Sequence, residues 1–168
     1  MKQKIKPNLT FATFSGLIRV QDSLDYETKH AYQLTARATD SYSGKWAEVV
    51  VSIQVIDIND NPPVFLQHFY NITVSEATAI ATPILSVTTT DADTGPNAGV
   101  SYGLLGLNGT QPKHFYMEPT SGVLILKQGL DRESTPMHHF LVQAVDKGTP
   151  QMSATAHVLV TGLSCCIL

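Results

Sequence analysis

The sequence repeats itself, and no other feature constrains the fold as much. Sliding the chain against itself by 106 residues lays Ser15-Gly16 on Ser121-Gly122, Leu24-Asp25-Tyr26-Glu27 on Leu130-Asp131-Arg132-Glu133, Ala38 on Ala144 and Asp40 on Asp146. One added residue in the following loop makes the offset 107, which aligns Val49, Val51 and Ile53 with Ala156, Val158 and Val160. Two related units of roughly 100 residues each are therefore expected in this 168-residue chain, the first cut short. The expected division is 1–62, 63–162 and an unrelated tail, 163–168.

The local pattern is strand throughout. Tyr32, Leu34, Ala36 and Ala38 alternate with Gln33, Thr35, Arg37 and Thr39, the period of two of a half-buried strand. Other runs rich in β-branched residues are bounded by Gly, Pro, Asn or Asp, and no helical period stands out. Strands are predicted in the second unit at 71–76, 83–90, 99–105, 114–118, 122–127, 138–146 and 154–161. In the first they are predicted at 9–14, 17–21, 31–39 and 47–57. The fold class is all-β: a Greek-key β-sandwich of immunoglobulin-like architecture, one unit partial and one complete. The partial unit lacks three strands, so the inner faces of Leu17, Tyr32, Leu34, Val49 and Val51 are expected to lie open and residues 1 to ~56 to be loosely folded.

With 11 basic and 14 acidic residues the chain carries a formal charge of -3, which offers no basic field for nucleic acid. The acids are few and their positions are informative. Asp25, Glu27, Asp40, Asp57, Asp60, Glu76, Asp91, Asp93, Asp131, Glu133 and Asp146 fall in recurring short motifs; Asp22, Glu48 and Glu118 do not. The densest run, Asp57-Ile58-Asn59-Asp60-Asn61, precedes Pro62-Pro63 at the join of the two units. Carboxylates and carboxamides on a proline-stiffened segment are hard oxygen donors, and calcium is the ion that suits them. Alone, the pentapeptide reads equally as a solvated turn. What points to a metal is the set, with Asp25-x-Glu27 and Asp91-x-Asp93 in loops of the flanking units and Asp146 after a strand end.

These motifs in this order resemble the cadherin repeat. The residues that carry the resemblance are LDYE and LDRE, ARATD and QAVDKG, SGLI and SGVL, DINDNPPVF, VSE, and DADTGPNAGVSY, spanning about Leu9 to Val160. Their phrasing is similar to large, many-repeat cadherins of the Fat or protocadherin kind. The resemblance implies a calcium cluster at the junction: Asp25 and Glu27 from the first unit, Asp57, the Ile58 main-chain oxygen, Asn59, Asp60 and Asn61 from the linker, and Asp91, Asp93, the Asn97 main-chain oxygen and Asp146 from the second. The first unit lacks the counterpart of Glu76, so the ion served by Asn59, Asn61, Asp91, Asp93, Asn97 and Asp146 is the one with a full donor set. The DINDN run should recur at 164–168, which instead reads Ser164-Cys165-Cys166-Ile167-Leu168. Glu76, Asp131 and Glu133 are thus expected to form half a site, and Asp40 faces a linker that is absent.

By the same resemblance, calcium would stiffen a rod of repeats for calcium-dependent cell–cell adhesion, with other cadherin ectodomains as homophilic or heterophilic partners. The parent protein would be membrane-anchored, with this portion at the extracellular face of the plasma membrane. The sequons Asn8-Leu9-Thr10, Asn71-Ile72-Thr73 and Asn108-Gly109-Thr110 agree with that setting and make Asn8, Asn71 and Asn108 glycosylation candidates. No run reaches the ~18 apolar residues of a membrane helix, and no signal-peptide h-region follows the first residues. A truncated, non-adhesive or decoy product of a cadherin gene is one alternative. Another is a prenylated intracellular protein, since Cys165-Cys166-Ile167-Leu168 matches a prenylation box. The adjacent cysteines exclude a disulfide framework. An EF-hand at Asp91-x-Asp93 fails, with Gly95 at its fifth position and Tyr102 where a bidentate Glu belongs. Neither Gly-x-Ser-x-Gly nor His-Glu-x-x-His occurs, His138 and His139 should face opposite sides of a strand, and an enzyme is not expected. Trp46 is read as a late-loop residue covering the sandwich end.

Overall fold

The computed structural model describes residues 9–11 and 16–164. The chain divides into two compact units, Met1–Asp57 and Ile58–Leu168. In the first, β1 (Leu9–Phe11) pairs antiparallel with β2 (Ile18–Val20), and β3 (Ala31–Thr39) with β4 (Trp46–Gln54). The second contains β5 (Val64–Phe65), β6 (Phe69–Ser75), β7 (Pro83–Ser86), β8 (Thr89–Thr90), β9 (Ser101–Gly106), β10 (Phe115–Met117), β11 (Val123–Leu126), β12 (Met137–Val145) and β13 (Ser153–Leu163). No helix occurs among the described residues.

The repeat arithmetic survives at the level of single hydrogen bonds. Leu9 opposes Val20 as Phe115 opposes Leu126, both displaced by 106. Ala31 opposes Gln54 as Met137 opposes Thr161, the first displaced by 106 and the second by 107. The inserted residue lies in the hairpin: Asp40 N–H donates to the Lys45 carbonyl at 2.8 Å, and Asp146 N–H to the Met152 carbonyl at 3.1 Å. Gly16 and Gly122, at φ 65° and 66°, turn the corresponding tight loops in a conformation that favours glycine.

The second unit is a sandwich. A four-stranded sheet in the order β6-β13-β12-β9, with β13 and β6 parallel, faces a three-stranded sheet in the order β10-β11-β7. Alternate residues of β12 and β13, Phe140, Val142 and Ala144 with Ala156, Val158 and Val160, turn inward against Leu124, Leu126 and Phe115. The Phe115 and Phe140 rings lie 4.9 Å apart across this core.

The first unit has the counterparts of β10–β13 and nothing, among the described residues, that corresponds to β6, β7 or β9. Its side chains record the difference. Val49 is 60% exposed where its counterpart Ala156 is 1% exposed, and Leu17 is also open. A Cβ on Gly122 would meet the Val87 carbonyl oxygen at 2.6 Å, whereas one on Gly16 meets nothing within 4 Å. Tyr32 departs from expectation: it is buried, with the Lys29 ammonium 4.2 Å from its ring centroid. Leu34 and Val51, also expected open, are half-buried.

Two other sequence expectations are corrected. The run 83–90 is two strands, β7 in the three-stranded sheet and β8 paired with the unforeseen β5, joined by Val87, whose N–H donates to the Gly122 carbonyl at 2.9 Å. Trp46 is not a loop cover; it opens β4, more than half exposed, with the Arg37 guanidinium 4.6 Å from its ring. His138 and His139 do face opposite sides of β12, the first beside Phe115 and the second beside Phe69.

Candidate metal centre

In the second unit the oxygen donors gather at the sandwich end that carries the start of the unit. Asp146 follows the last residue of β12, so the strand delivers its carboxylate to that end. The group is 1% exposed, and neutral N–H donors surround it: Gly148 N–H reaches Oδ1 at 3.0 Å, and Met152 N–H and Asn59 Nδ2 reach Oδ2 at 2.9 and 3.1 Å. Asn59 is itself buried, at 8% exposure, and its Nδ2 also donates to the Pro150 carbonyl at 2.5 Å. Its other amide atom, Oδ1, is buried and has no hydrogen-bond partner among the described residues. A buried carbonyl-type oxygen without a donor is costly, and it beckons a cation.

Asp93, 5% exposed, takes the Asn61 Nδ2 on Oδ1 at 2.7 Å and the Asn61 backbone N–H on Oδ2 at 3.3 Å. Asp91 accepts the Asp93 backbone N–H at 3.0 Å, which folds the Asp-x-Asp turn. Asn97 closes the same loop, its N–H donating to the Thr94 carbonyl at 3.1 Å. Asp60 is exposed; its N–H donates to the Ile58 carbonyl at 3.0 Å and its Oδ1 accepts from Asn61 Nδ2 at 2.8 Å. Hydrogen bonds thus tie Asn59 to Asp146 and Asn61 to Asp93, joining segments as far apart in sequence as Asn59 and Asp146.

In the first unit, Glu27 and Asp57 bring carboxylate oxygens within 4.8 Å of each other. Asp25 is held by its own turn, accepting the Thr28 hydroxyl at 2.7 Å and the Thr28 N–H at 3.1 Å. Those bonds, the hydroxyl first, hold its carboxyl below the usual carboxylate range. The repeat duplicates the device: Asp131 accepts the Ser134 and Glu133 N–H groups at 3.2 and 3.1 Å, and the Ser134 N–H is the foremost cause of its lowered pKa. Glu76, Asp131 and Glu133 place oxygens within 4.8 Å of one another, with Glu76 also accepting the Arg132 N–H.

Two further residues support the site without offering a ligand atom of their own. Met152 contributes only a backbone N–H, and Gly148 contributes room: a Cβ there would lie 2.2 Å from Asn59 Cγ. Glu118, which stood outside the motifs, caps the β10–β11 turn through the Thr120 hydroxyl and the Thr120 and Ser121 N–H groups, and they bring its pKa down to about 2, Ser121 foremost. Of the glycosylation candidates, Asn71 and Asn108 are exposed, and the Thr110 N–H donates to Asn108 Oδ1 at 3.2 Å; Asn8 lies outside the described residues. So do Cys165 and Cys166.

A family model for the cadherin domain matches residues 70–161. The chain belongs to the cadherin family. Human Protocadherin Fat 1 is 44% identical over 146 residues, 87% of this chain, and the Drosophila melanogaster Fat-like cadherin-related tumor suppressor homolog is 40% identical over 148 residues, 88% of it. The chain spans about 3% of the length of each of these curated relatives. Among solved structures, three cadherin repeats of mouse Cadherin-23 (EC22-24) are similar with a TM-score of 0.86 at 31% identity, over 94% of this chain and 50% of that one. The all-β cadherin fold stands on these likenesses together with the strand order.

The residues of the second unit fit calcium. Every donor offered is a hard oxygen, and the orphaned Oδ1 belongs to Asn59, whose Nδ2 bonds the buried Asp146. Calcium bound there would supply positive charge to carboxylates now served by neutral dipoles.

Proposed function

We propose that this chain is a calcium-binding portion of a cadherin ectodomain that serves cell–cell adhesion. The observation that carries the reading is Asn59 Oδ1, a buried oxygen with no donor beside the buried carboxylate of Asp146. Asn59, Asn61, Asp91, Asp93, Asp146 and the Asn97 main-chain oxygen would hold one ion. Asp25, Glu27, Asp57, the Ile58 main-chain oxygen and Asp60 would serve the others. Loading calcium would tie the segment 59–61 to the loops that carry Asp91, Asp93 and Asp146. Extracellular calcium modules bind at roughly 10⁻⁴ to 10⁻³ M, so ~1 mM calcium contributes about 0.4 to 1.4 kcal/mol per site.

The test is the thermal melt in EGTA and across ~0.01 to 5 mM calcium, with Asp91→Ala alongside. A calcium-dependent rise of about 2–6 °C that the variant loses supports the reading, and an unmoved wild-type melt overturns it. The adhesive role is homophilic in this proposal: beads coated with the chain in its parent ectodomain should aggregate with calcium and disperse in EGTA. Asn71 and Asn108 would carry glycans outside the cell, which mass spectrometry of the secreted protein reads directly.

A further inference from the structure

The outer face of the four-stranded sheet carries a feature that calcium and adhesion do not use. His139 on β12 and His157 on β13 are diagonal neighbours across the antiparallel ladder, in which His139 opposes Leu159 and Leu141 opposes His157. His139 Nε2 and His157 Nδ1 are 3.1 Å apart, and both side chains are exposed. Phe69 of β6, beside His157 in the parallel ladder, lies against both rings, at 6.5 and 6.4 Å between centroids. Phe69 thus flanks the pair, and the two facing nitrogens point at one another.

We propose that His139 and His157 form a two-imidazole site for a divalent transition-metal ion of the zinc or copper class. Metal–nitrogen bonds of about 2.0–2.1 Å place two nitrogens on a common ion roughly 3.0–3.4 Å apart, so the observed separation needs little change. With both rings neutral, a hydrogen bond between the facing nitrogens has one as donor and the other as acceptor. On metal binding the proton moves from His139 Nε2 to its Nδ1, or from His157 Nδ1 to its Nε2, according to which ring donates; both facing nitrogens then offer lone pairs and no net proton is lost. Nearby positions of the same face, Met137, Leu141, Thr155, Leu159, Thr161 and Asn71, bring no charge that would repel a cation. Imidazole is a poor ligand for calcium and a good one for zinc and copper, so the site is chemically distinct from the carboxylate cluster. Water fills the remaining coordination positions.

The experiment is a calorimetric titration with zinc chloride in saturating calcium, using a Cys165→Ser, Cys166→Ser background so that the thiols cannot compete. Saturable binding of one equivalent is expected, with copper(II) tighter than zinc, and a loss of more than ~10-fold in affinity in either His139→Gln or His157→Gln. Both variants should keep the metal-free melting temperature and the calcium response, since the positions are exposed and apart from the calcium donors. In the unsubstituted imidazoles, the NMR signals of His139 and His157 should shift together on zinc addition while those of His114 and His138 stay in place. No saturable heat, affinity that survives both substitutions, or zinc shifts confined to His114 and His138 would each overturn the proposal.

Discussion

Replacing Asp146 by alanine separates two roles that one carboxylate holds. The side chain accepts N–H groups from Gly148, Met152 and Asn59. On truncation Asn59 Nδ2 keeps the Pro150 carbonyl, but the buried Gly148 N–H and the half-buried Met152 N–H lose their acceptor. Each stranded donor costs about 1–3 kcal/mol, and release of a buried charge returns part of that, leaving a loss near ~3 kcal/mol with no metal present. Asp146→Asn keeps one oxygen acceptor and should lose about half as much. Because two units contribute to any bulk melt, amide hydrogen exchange in EGTA at buried residues of β12 and β13 is the suitable assay. A loss of ~3 kcal/mol there speeds exchange through global opening by about 150-fold. Calcium should then raise protection in the wild type and leave Asp146→Ala almost unmoved. If Asp146→Ala in EGTA stays within ~0.5 kcal/mol of wild type, the carboxylate is not the acceptor that holds this hairpin and the structural half of the argument is wrong.

Further outcomes follow from the same geometry. Gly148→Ala drives a Cβ into Asn59 and should lower both the melting temperature in EGTA and the calcium-induced rise; an unchanged calcium rise would show that Asn59 is not a ligand. Burial of His138, and next the neighbouring His114, lowers its imidazole pKa, so the unfolded chain binds the proton more readily and stability falls as pH drops below about 6.5 toward the folded pKa. Urea midpoints at pH 7.5 and 5 should show that slope in the wild type and a flatter one in His138→Gln. Glu118 has the opposite chemistry: its folded pKa near 2 means stability present above ~4.5 and lost as pH falls from there, a limb that Glu118→Gln should flatten in acid denaturation. Limited proteolysis should cut residues 1 to ~56 well before 63–161, since Val49 and Leu17 are open and the ladders β1-β2 and β3-β4 gain no third strand; survival of the first unit beyond the second refutes this.

Much of the fold was legible because the repeat and the two-residue period are local signals. Matching Leu24-Asp25-x-Glu27 to Leu130-Asp131-x-Glu133 placed the turns, alternation placed β3, and β-branched runs placed β4, β12 and β13 close to where they lie. Legibility failed where a decision depended on a partner strand. Ile84 to Thr90 is almost uniformly β-branched or small, so nothing in it marks Val87 as the point where the chain leaves one sheet for another pairing. Val64 and Phe65 form a strand only because Thr89 and Thr90 are there to receive them, and two residues carry no period. Tyr32 is buried although fewer strands accompany it, and the ammonium of Lys29, three residues earlier, stands over its ring.

The candidate site divides along the same line, and the two repeated aspartates show why. Asp40 and Asp146 occupy equivalent positions, and each accepts the N–H two residues ahead, from Tyr42 at 2.9 Å and Gly148 at 3.0 Å. That much belongs to the turn and is written locally in Ala-x-Asp. Asp40 then finishes its bonding with its own Ser43 hydroxyl, the first cause of its lowered pKa, and remains exposed. Asp146 finishes with Asn59, 87 residues away in sequence, and is buried. The hairpin role of the motif is therefore present in both units, and the metal-binding role is proposed only where a distant segment rich in Asn and Asp arrives to close the site. A carboxylate motif of this kind predicts its turn from the residues beside it, while its calcium chemistry depends on which linker folds onto it.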